Sequence, residues 1–277
     1  MSKKNQSIRL TDQHTKSKGV LGIFGELAKV HDISVSDISR AVQKQLQEKY
    51  PNLQFRYRKT LSKAEINASL QEIDPYLGQT LFLPSSSIIP DGGLIEVKDD
   101  NDKWRLVLVS EAKFQGKDIE NIKAGKLVGK GMDQDTMAAG NAIERSHKNI
   151  SEIANFMLAE SHFPYVIFLE GSNFLTETIE VTRPDGRKVV LKYNSGSLNR
   201  LDRLSASNYG MPFNTNLCQN KFVSVNDKSV MLQAASIYTT GDGSKWEPEK
   251  MFIIMQSIAE TSLQLLGKDL FKQITEK

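Results

Sequence analysis

Apolar residues recur at helical spacing in five stretches of the chain. One helix face of residues 34–50 carries Val35, Ile38, Val42 and Leu46. The predicted helices cover residues 20–30, 34–50, 62–74, 143 to about 160, and a C-terminal segment from about 248. The stripe of the fourth helix is expected to run through Ile143, His147, Ile150, Ala154 and Met157.

Between these helices the pattern changes to β-branched and alternating residues, which indicate strands. Strands are predicted within residues 80–114, at 165–171 and at 230–238, with a hairpin over 178–193. Because strands alternate with helices, the predicted fold class is α/β, with a mixed central β-sheet flanked by helices. We expect one domain over residues 1–277, which includes a mobile N-terminal arm over about residues 1–18.

The strand before Phe114 is apolar on both faces until charges appear at its end. Leu106, Leu108 and Ser110 alternate with Val107, Val109 and Glu111. This pattern is typical of a strand inside a sheet that is covered on both sides.

Composition and charge limit the classes of function. The chain has 277 residues, 39% hydrophobic and 25% charged, enough for one large core. Its net charge is only +3, so a DNA-binding surface has to be concentrated on one face, and a mixed-charge soluble protein is the plainer interpretation. Cys218 is the only cysteine, which excludes an intrachain disulfide and fits the cytoplasm. No apolar run approaches a membrane span and no signal peptide is apparent, so no membrane partner is expected.

The strongest catalytic pattern joins Asp91, in a Pro-Asp-Gly-Gly turn, to Glu111 and Lys113 at a strand end. Residues two apart on a strand project from the same face. If the strand after Asp91 pairs with this one, two carboxylates and an ammonium converge. Carboxylates hold Mg²⁺, and Lys113 could stabilise charge or help to orient and deprotonate water, which suits phosphodiester hydrolysis.

This motif is short, and the alternative is a solvated strand end beside an ordinary turn. No competing chemistry stands out, because the four histidines lack metal-site spacing and there is no P-loop or nucleophile elbow. In residues 133–149, Asn141, Glu144 and Arg145 lie near small residues, so they could read base edges. The alternative there is a helix entry with a surface pair of Glu144 and Lys148.

Long runs of the sequence resemble the EcoRI family of type II restriction endonucleases, within the PD-(D/E)xK nuclease superfamily. The runs are GNAIERSHKNISEIANFML, ESHFPYV, FLEGSNFLTE, LNRLDRL, NYGMP, IPDGG and LVGK, and the resemblance covers the whole chain. It implies catalysis by Asp91, Glu111 and Lys113, with Mg²⁺ on Asp91 and Glu111. It also implies a homodimer that cuts double-stranded DNA at GAATTC, after G, to leave 5′ overhangs. A cognate DNA methyltransferase is expected as a partner of the system.

The same resemblance implies two sets of DNA contacts. The base-reading set is Met137, Ala138, Gly140, Asn141, Ala142, Glu144 and Arg145, supported by Arg200 and Arg203. The set against the DNA backbone is Gln115, Gly116, Lys117, Lys148 and Asn149. Residues 116–132 and 176–193 resemble arms that wrap DNA.

The chain departs from the family pattern at Ser85, Ile89, Phe114 and the pair Gly131-Met132. These positions flank the catalytic trio and leave it intact. Two other functions remain open on the residues alone: a sequence-specific DNA-binding protein on a decayed nuclease fold, and another metal-dependent DNA nuclease.

Overall fold

The computed structural model describes residues 34–79, 86–128, 139–192 and 212–267, and for residues 139–144 it describes the backbone alone. Several predicted features lie outside these ranges. They are the N-terminal arm, the helix at 20–30, Ser85, Gly131-Met132, Met137, Ala138, Arg200 and Arg203.

The described chain contains both helices and strands in alternation. The helices are α1 (Val35–Lys49), α2 (Lys63–Ile73), α3 (Asp118–Lys123), α4 (Ala139–Phe156) and α5 (Pro248–Leu265), with a 3₁₀ turn at Ser172–Phe174. The strands are β1 (Phe55–Arg58), β2 (Leu61–Ser62), β3 (Ser87–Ile88), β4 (Leu94–Lys98), β5 (Trp104–Phe114), β6 (Tyr165–Glu170), β7 (Ile179–Thr182), β8 (Lys188–Leu191), β9 (Lys221–Val225), β10 (Lys228–Leu232) and β11 (Ser236–Thr239).

The central sheet has five strands in the order β1-β4-β5-β6-β11. The pairs β1–β4 and β4–β5 are antiparallel, whereas β5–β6 and β6–β11 are parallel. The sheet is therefore mixed, and the predicted α/β class is confirmed. β5 lies at its centre, paired on both sides.

Helices cover both faces of the sheet. On one face, Ile38 and Val42 of α1 and Met255 of α5 pack with Val107 and Phe168. On the other face, α2 and α4 form a second core with β5 and β6. Its members include Ile66, Ile150, Ile153, Val109 and Tyr165.

Local sequence explains where the helices begin. Ser62 accepts a hydrogen bond from the Glu65 N–H, and the Glu65 side chain accepts one from the Ser62 N–H, which is a capping box at the start of α2. Pro248 occupies the first turn of α5, where its missing N–H costs nothing. Among the residues described, no helix is both long and apolar enough to cross a membrane.

A β-bulge interrupts the register between β4 and β5. Ile95 lies opposite Leu108 while Glu96 lies opposite Leu106, so Val107 is an extra residue in β5. A bulge of this kind places two neighbouring residues on the same side of a strand. Val107 and Leu108 accordingly join the same core.

The bulge changes which side chains share a face. Leu106 packs in the same core as Val109, so the strict alternation predicted for this strand is wrong at its start. Beyond the bulge the alternation holds. Ser110 contacts Ser39 of α1, with 2.8 Å between their hydroxyl oxygens, while Glu111 faces α4.

Two further expectations need correction. The predicted strand over residues 230–238 is two strands in different sheets, because β10 pairs with β9 and β11 pairs with β6. The predicted stripe of α4 is wrong at His147, which is exposed. The buried stripe runs instead through Ser146, Ile150, Ile153 and Met157, and the helix ends at Phe156.

Candidate active site

Asp91 lies in the turn between β3 and β4, beside the end of β5. The Gly93 N–H donates to the Pro90 carbonyl at 3.0 Å, which closes the turn. The Gly92 N–H donates to the Ser110 carbonyl at 2.9 Å, which ties the turn to β5. A Cβ at Gly92 would lie 2.0 Å from Ser110 Oγ, so this close approach requires glycine.

Glu111 and Lys113 project from the side of β5 that faces α4. Lys113 Nζ lies 2.5 Å from Asp91 Oδ2 and 3.8 Å from Glu111 Oε2. The Glu111 side chain is fully buried, that of Lys113 is 18% exposed, and that of Asp91 is 43% exposed. The structure thus brings the three predicted residues together at the end of β5, with Asp91 on the solvent side.

The Glu111 carboxylate is held in an unfavourable environment. Burial raises its pKa, Lys113 opposes the rise, and the nearby Asp91 carboxylate adds to it. Hydrogen bonds from Asn149 and Ser146 lower the pKa, but the net shift is upward. A buried carboxylate of this kind is stabilised by any cation that reaches it.

Lys113 carries the compensating charge in the free protein. Burial lowers its pKa, but the Glu111 and Asp91 carboxylates outweigh burial and the net shift is upward. The positive charge of Arg145 lowers the pKa of Lys113, so the Arg145 guanidinium lies within electrostatic reach of the Lys113 ammonium. Lys113 is therefore a protonated ammonium at neutral pH.

The two carboxylates fit a hard divalent cation. Such cations bind carboxylate oxygens, and Asp91 and Glu111 present them at one point. Glu111 Oε2 is buried and accepts no hydrogen bond from the residues that the structure describes, so it has a lone pair for a ligand. In the described part of the chain, no third acidic, histidine or cysteine side chain joins them. The remaining ligands would have to be backbone, water or substrate oxygens.

Helix α4 supplies two polar contacts to Glu111 that the sequence analysis missed. Asn149 Nδ2 donates to Glu111 Oε1, and the Ser146 side chain also hydrogen-bonds the carboxylate. The signal for Ser146 was its position, since it continues the buried stripe of α4 as a polar residue in an apolar series. In the protein without DNA, Asn149, which is expected to lie against the DNA backbone, donates its side-chain amide to the Glu111 carboxylate.

The other described residues expected at DNA differ in exposure. Lys117, Arg145 and Lys148 have exposed side chains. Gln115 is only 4% exposed, and Gly116 is packed so closely that a Cβ would meet Ser172 Oγ at 2.3 Å. Among these described candidates, the three basic residues are the ones that present positive charge at the surface.

Several base-reading candidates are placed only by their backbone. Gly140, Asn141, Ala142 and Glu144 lie in the first turns of α4, ahead of Arg145. Asn149, which contacts Glu111, lies further along the same helix. The segment expected to read bases is therefore continuous with the residues that bond Glu111.

The two expected DNA-wrapping arms contact each other. β7 and β8 form the predicted hairpin. Arg183 Nη1 donates to the Lys126 carbonyl at 2.7 Å, and Pro184 lies 3.6 Å from the position of a Cβ on Gly125. The described part of residues 116–132 contains the short helix α3. The described parts of both arms form one structural unit.

Comparison with known sequences decides the family. The family described as "Restriction endonuclease EcoRI" matches residues 17–273. The chain belongs to the EcoRI restriction endonuclease family. Among relatives, the type II restriction enzyme EcoRI of Escherichia coli is 67% identical over all 277 residues of both proteins. The type II restriction enzyme RsrI of Cereibacter sphaeroides is 49% identical over 267 residues, 96% of each chain.

Membership of the EcoRI family confirms the resemblance that the sequence runs indicated. Ile89 and Phe114, where we expected departures from the family pattern, are both exposed apolar residues that lie close to Asp91 and Lys113 in sequence.

Proposed function

We propose that this protein is a Mg²⁺-dependent type II restriction endonuclease that hydrolyses phosphodiester bonds in double-stranded DNA. The observation that carries the proposal is the convergence of Asp91, Glu111 and Lys113 at the end of one strand. Family membership over nearly the whole chain supports the same reaction and the use of a divalent metal. Mg²⁺ is the specific ion that we propose.

Asp91 and Glu111 would hold the metal. When bound, the cation supplies charge stabilisation at the scissile phosphate and acidifies a water for attack. Asp91 is the exposed partner and Glu111 the buried one, so the site has an open side toward substrate. Asn149 and Ser146 orient the Glu111 carboxylate from α4.

Lys113 would act as a cation rather than as a base. Its pKa is raised by the two carboxylates, so it carries a proton before substrate arrives. A protonated ammonium stabilises the negative charge that develops on the phosphate in the transition state. Arg145 lies within electrostatic reach of Lys113 and would add to the positive potential for DNA phosphates.

We further propose the palindromic target GAATTC, cut after G to leave 5′ overhangs. Identity of 67% to a type II restriction enzyme EcoRI supports a shared target. The base-reading set proposed for it is Met137, Ala138, Gly140, Asn141, Ala142, Glu144, Arg145, Arg200 and Arg203. Arg145 is the member of this set whose side chain the structure describes, and it is exposed, as base reading requires.

A palindromic target is matched by a twofold homodimer, because isologous symmetry presents the same residues to both half-sites. The arms over 116–132 and 176–193 would extend each subunit's contact along the DNA, and contact between their described parts supports a joint role. A cognate DNA methyltransferase completes the proposed system, and physical contact with it is not required. The buried free thiol of Cys218 is compatible with the proposed cytoplasmic location.

The test is cleavage by purified protein with Mg²⁺ and with the metal removed by chelation. Wild type should cut only with metal. Asp91→Ala and Glu111→Ala should bind a GAATTC duplex specifically yet fail to cut it. Glu249→Ala is the matched control, because it removes an exposed carboxylate on α5, the helix that covers the opposite face of the sheet.

The outcomes separate the candidate functions. Specific binding without cleavage by wild type would favour a DNA-binding protein on a decayed nuclease fold. Cleavage without preference for a palindrome would favour another DNA nuclease. Full cleavage by Asp91→Ala with Mg²⁺ would remove the proposed metal site.

A further inference from the structure

Tyr165 places a buried hydroxyl beside the candidate active site. The residue begins β6 and lies opposite Val109 of β5, two positions before Glu111 on the same face. Its side chain is fully buried, and its ring stacks on Phe163 with the ring centroids 5.8 Å apart. Within the described residues the hydroxyl makes no hydrogen bond of good geometry, although Glu111 and Asn149 are near enough to interact weakly with it.

The surroundings of this hydroxyl belong to the catalytic cluster. Burial, followed by the Glu111 carboxylate, raises the pKa of Tyr165 well above its ordinary value, and Asp91 adds to the rise. The hydroxyl is therefore protonated and remains a donor. Asn149, whose amide bonds Glu111, also interacts with it.

An unbonded buried hydroxyl is unfavourable for folding. Phenylalanine would fill the same space without the desolvation penalty of the oxygen. Nothing in the packing of the ring requires that oxygen, since the ring already lies in the core of α4, β5 and β6. A polar group that costs stability in such a place points to a role in the site that it faces.

Donors on one side alone do not fix the plane of a carboxylate. Asn149 and Ser146 both hold Glu111 from the helix side, and within the described residues Oε2 accepts no hydrogen bond of good geometry. Tyr165 approaches from the sheet side as part of β6. A donor on each side would fix the carboxylate plane and keep one lone pair of Oε2 directed at a cation.

We propose that Tyr165 is a positioning residue for Glu111, whose hydroxyl donates to the Glu111 carboxylate when the divalent metal is bound. Tyr165 and Asn149 together hold that carboxylate from the sheet and from α4. The inference rests on the function proposed above, because it assigns Tyr165 a role at that metal site.

Tyr165→Phe removes only the oxygen. Tyr238→Phe is the matched control, because it removes a tyrosine hydroxyl from β11 of the same sheet, on the side of the other core. Four quantities are measured for each protein: affinity for a GAATTC duplex without metal, the thermal midpoint, the binding of Mn²⁺, and the rate of cleavage of cognate DNA at several metal concentrations. Mn²⁺ is titrated into the complex with a duplex that has a non-hydrolysable scissile linkage, and free ion is followed by electron paramagnetic resonance.

Tyr165→Phe should keep its metal-free DNA affinity and should melt at the same or a higher temperature than wild type. It should bind Mn²⁺ and cut cognate DNA about 10–100-fold more weakly, which is typical for loss of an outer-shell partner. Raising the metal concentration should restore part of its cleavage rate. Tyr238→Phe should match wild type in all these measurements.

Two results would overturn the inference. Wild-type Mn²⁺ affinity and cleavage in Tyr165→Phe would show that the hydroxyl does not position Glu111. A lowered thermal midpoint, with activity lost to the same degree at all metal concentrations, would show a structural role. Failure of wild type itself to cut DNA would instead reject the proposed function, so the two failures are distinguishable.

Discussion

Lys113 Nζ lies 2.5 Å from Asp91 Oδ2, so the Lys113 ammonium forms an ion pair with the more exposed of the two carboxylates. The same nitrogen is 3.8 Å from Glu111 Oε2. On the proposed function, Asp91 and Glu111 would share a divalent cation that neutralises both, and Lys113 would then be available to the substrate. The ion pair therefore keeps the two acids compatible before metal and DNA arrive.

Removal of the ammonium should abolish turnover without unfolding the chain. In Lys113→Ala, Glu111 can take up a proton in place of its lost partner, because its pKa is already raised. The lost charge serves the transition state, so binding of cognate DNA should persist while cleavage disappears.

The measurement for Lys113→Ala combines circular dichroism, sedimentation and single-turnover cleavage. Lys44→Ala, which removes an exposed lysine from α1, is the control and should cut normally. An unfolded or monomeric Lys113→Ala protein would show that the lysine has a structural role.

Gly92→Ala should displace Asp91 from β5. The added Cβ would lie 2.0 Å from Ser110 Oγ and 2.9 Å from the Ser110 carbonyl oxygen, so the turn has to move. We expect a loss of stability of about 1–3 kcal/mol, as for other overpacked sites, together with a large loss of cleavage. The double variant Gly92→Ala/Ser110→Gly should recover part of both, because it removes the nearest clashing atom. Unchanged cleavage in Gly92→Ala would contradict the close packing of the turn at residues 90–93 against β5.

Arg145→Ala should weaken discrimination among sites more than non-specific binding. Its exposed guanidinium follows the segment expected to read bases, and Asn141→Ala should act in the same way. Loss of a bidentate base contact costs about 1–3 kcal/mol of discrimination, whereas non-specific binding depends on phosphate contacts. The measurement is competition between GAATTC and sites changed at one base pair, at one salt concentration. Retention of the wild-type preference ratio by both variants would place base reading elsewhere.

His162 should make the fold sensitive to mild acid. It is fully buried, and its Nε2 lies 2.9 Å from the Leu106 carbonyl oxygen. Burial lowers its pKa, and contact with that carbonyl and with Glu160 opposes the shift only in part. Between about pH 6.5 and the lower pKa of the folded state, the unfolded chain binds this proton and the folded chain does not, so stability falls as pH falls through that interval.

For one such proton, the free energy of unfolding changes by at most about 1.4 kcal/mol per pH unit. Urea unfolding at about pH 7.5 and about pH 5.5 measures this change in the free energy of unfolding. His162→Gln should show a smaller difference between the two pH values than wild type. His147→Gln, at an exposed histidine, should keep the wild-type difference. Equal differences in all three proteins would contradict this origin of the acid sensitivity.

Periodicity predicted the α/β class, the helices α1, α2 and α5, and the hairpin of β7 and β8. It placed Glu111 and Lys113 on one face because alternation holds at the end of β5. It failed at Leu106, since a bulge depends on the partner strand and leaves no mark on the pattern of β5 itself.

The catalytic trio was predictable because its residues lie in two short local motifs. The contacts of Ser146, Asn149 and Tyr165 with Glu111 were not, because they join α4 and β6 to β5 across long sequence separations. Such contacts are determined by how the helices and strands pack against one another. Ser146, a polar residue in the buried stripe of α4, was the one local feature of the sequence that pointed to them.

The most direct test of the central claim uses a plasmid with one GAATTC site and Mg²⁺. Purified protein is incubated with it, and both ends of the linear product are sequenced. We predict a single cut after G on each strand, with 5′ overhangs and no product when the metal is chelated. Ends at other sequences, blunt or 3′-extended ends, or cleavage without metal would contradict the assignment of Asp91, Glu111 and Lys113 to metal-dependent hydrolysis at this site.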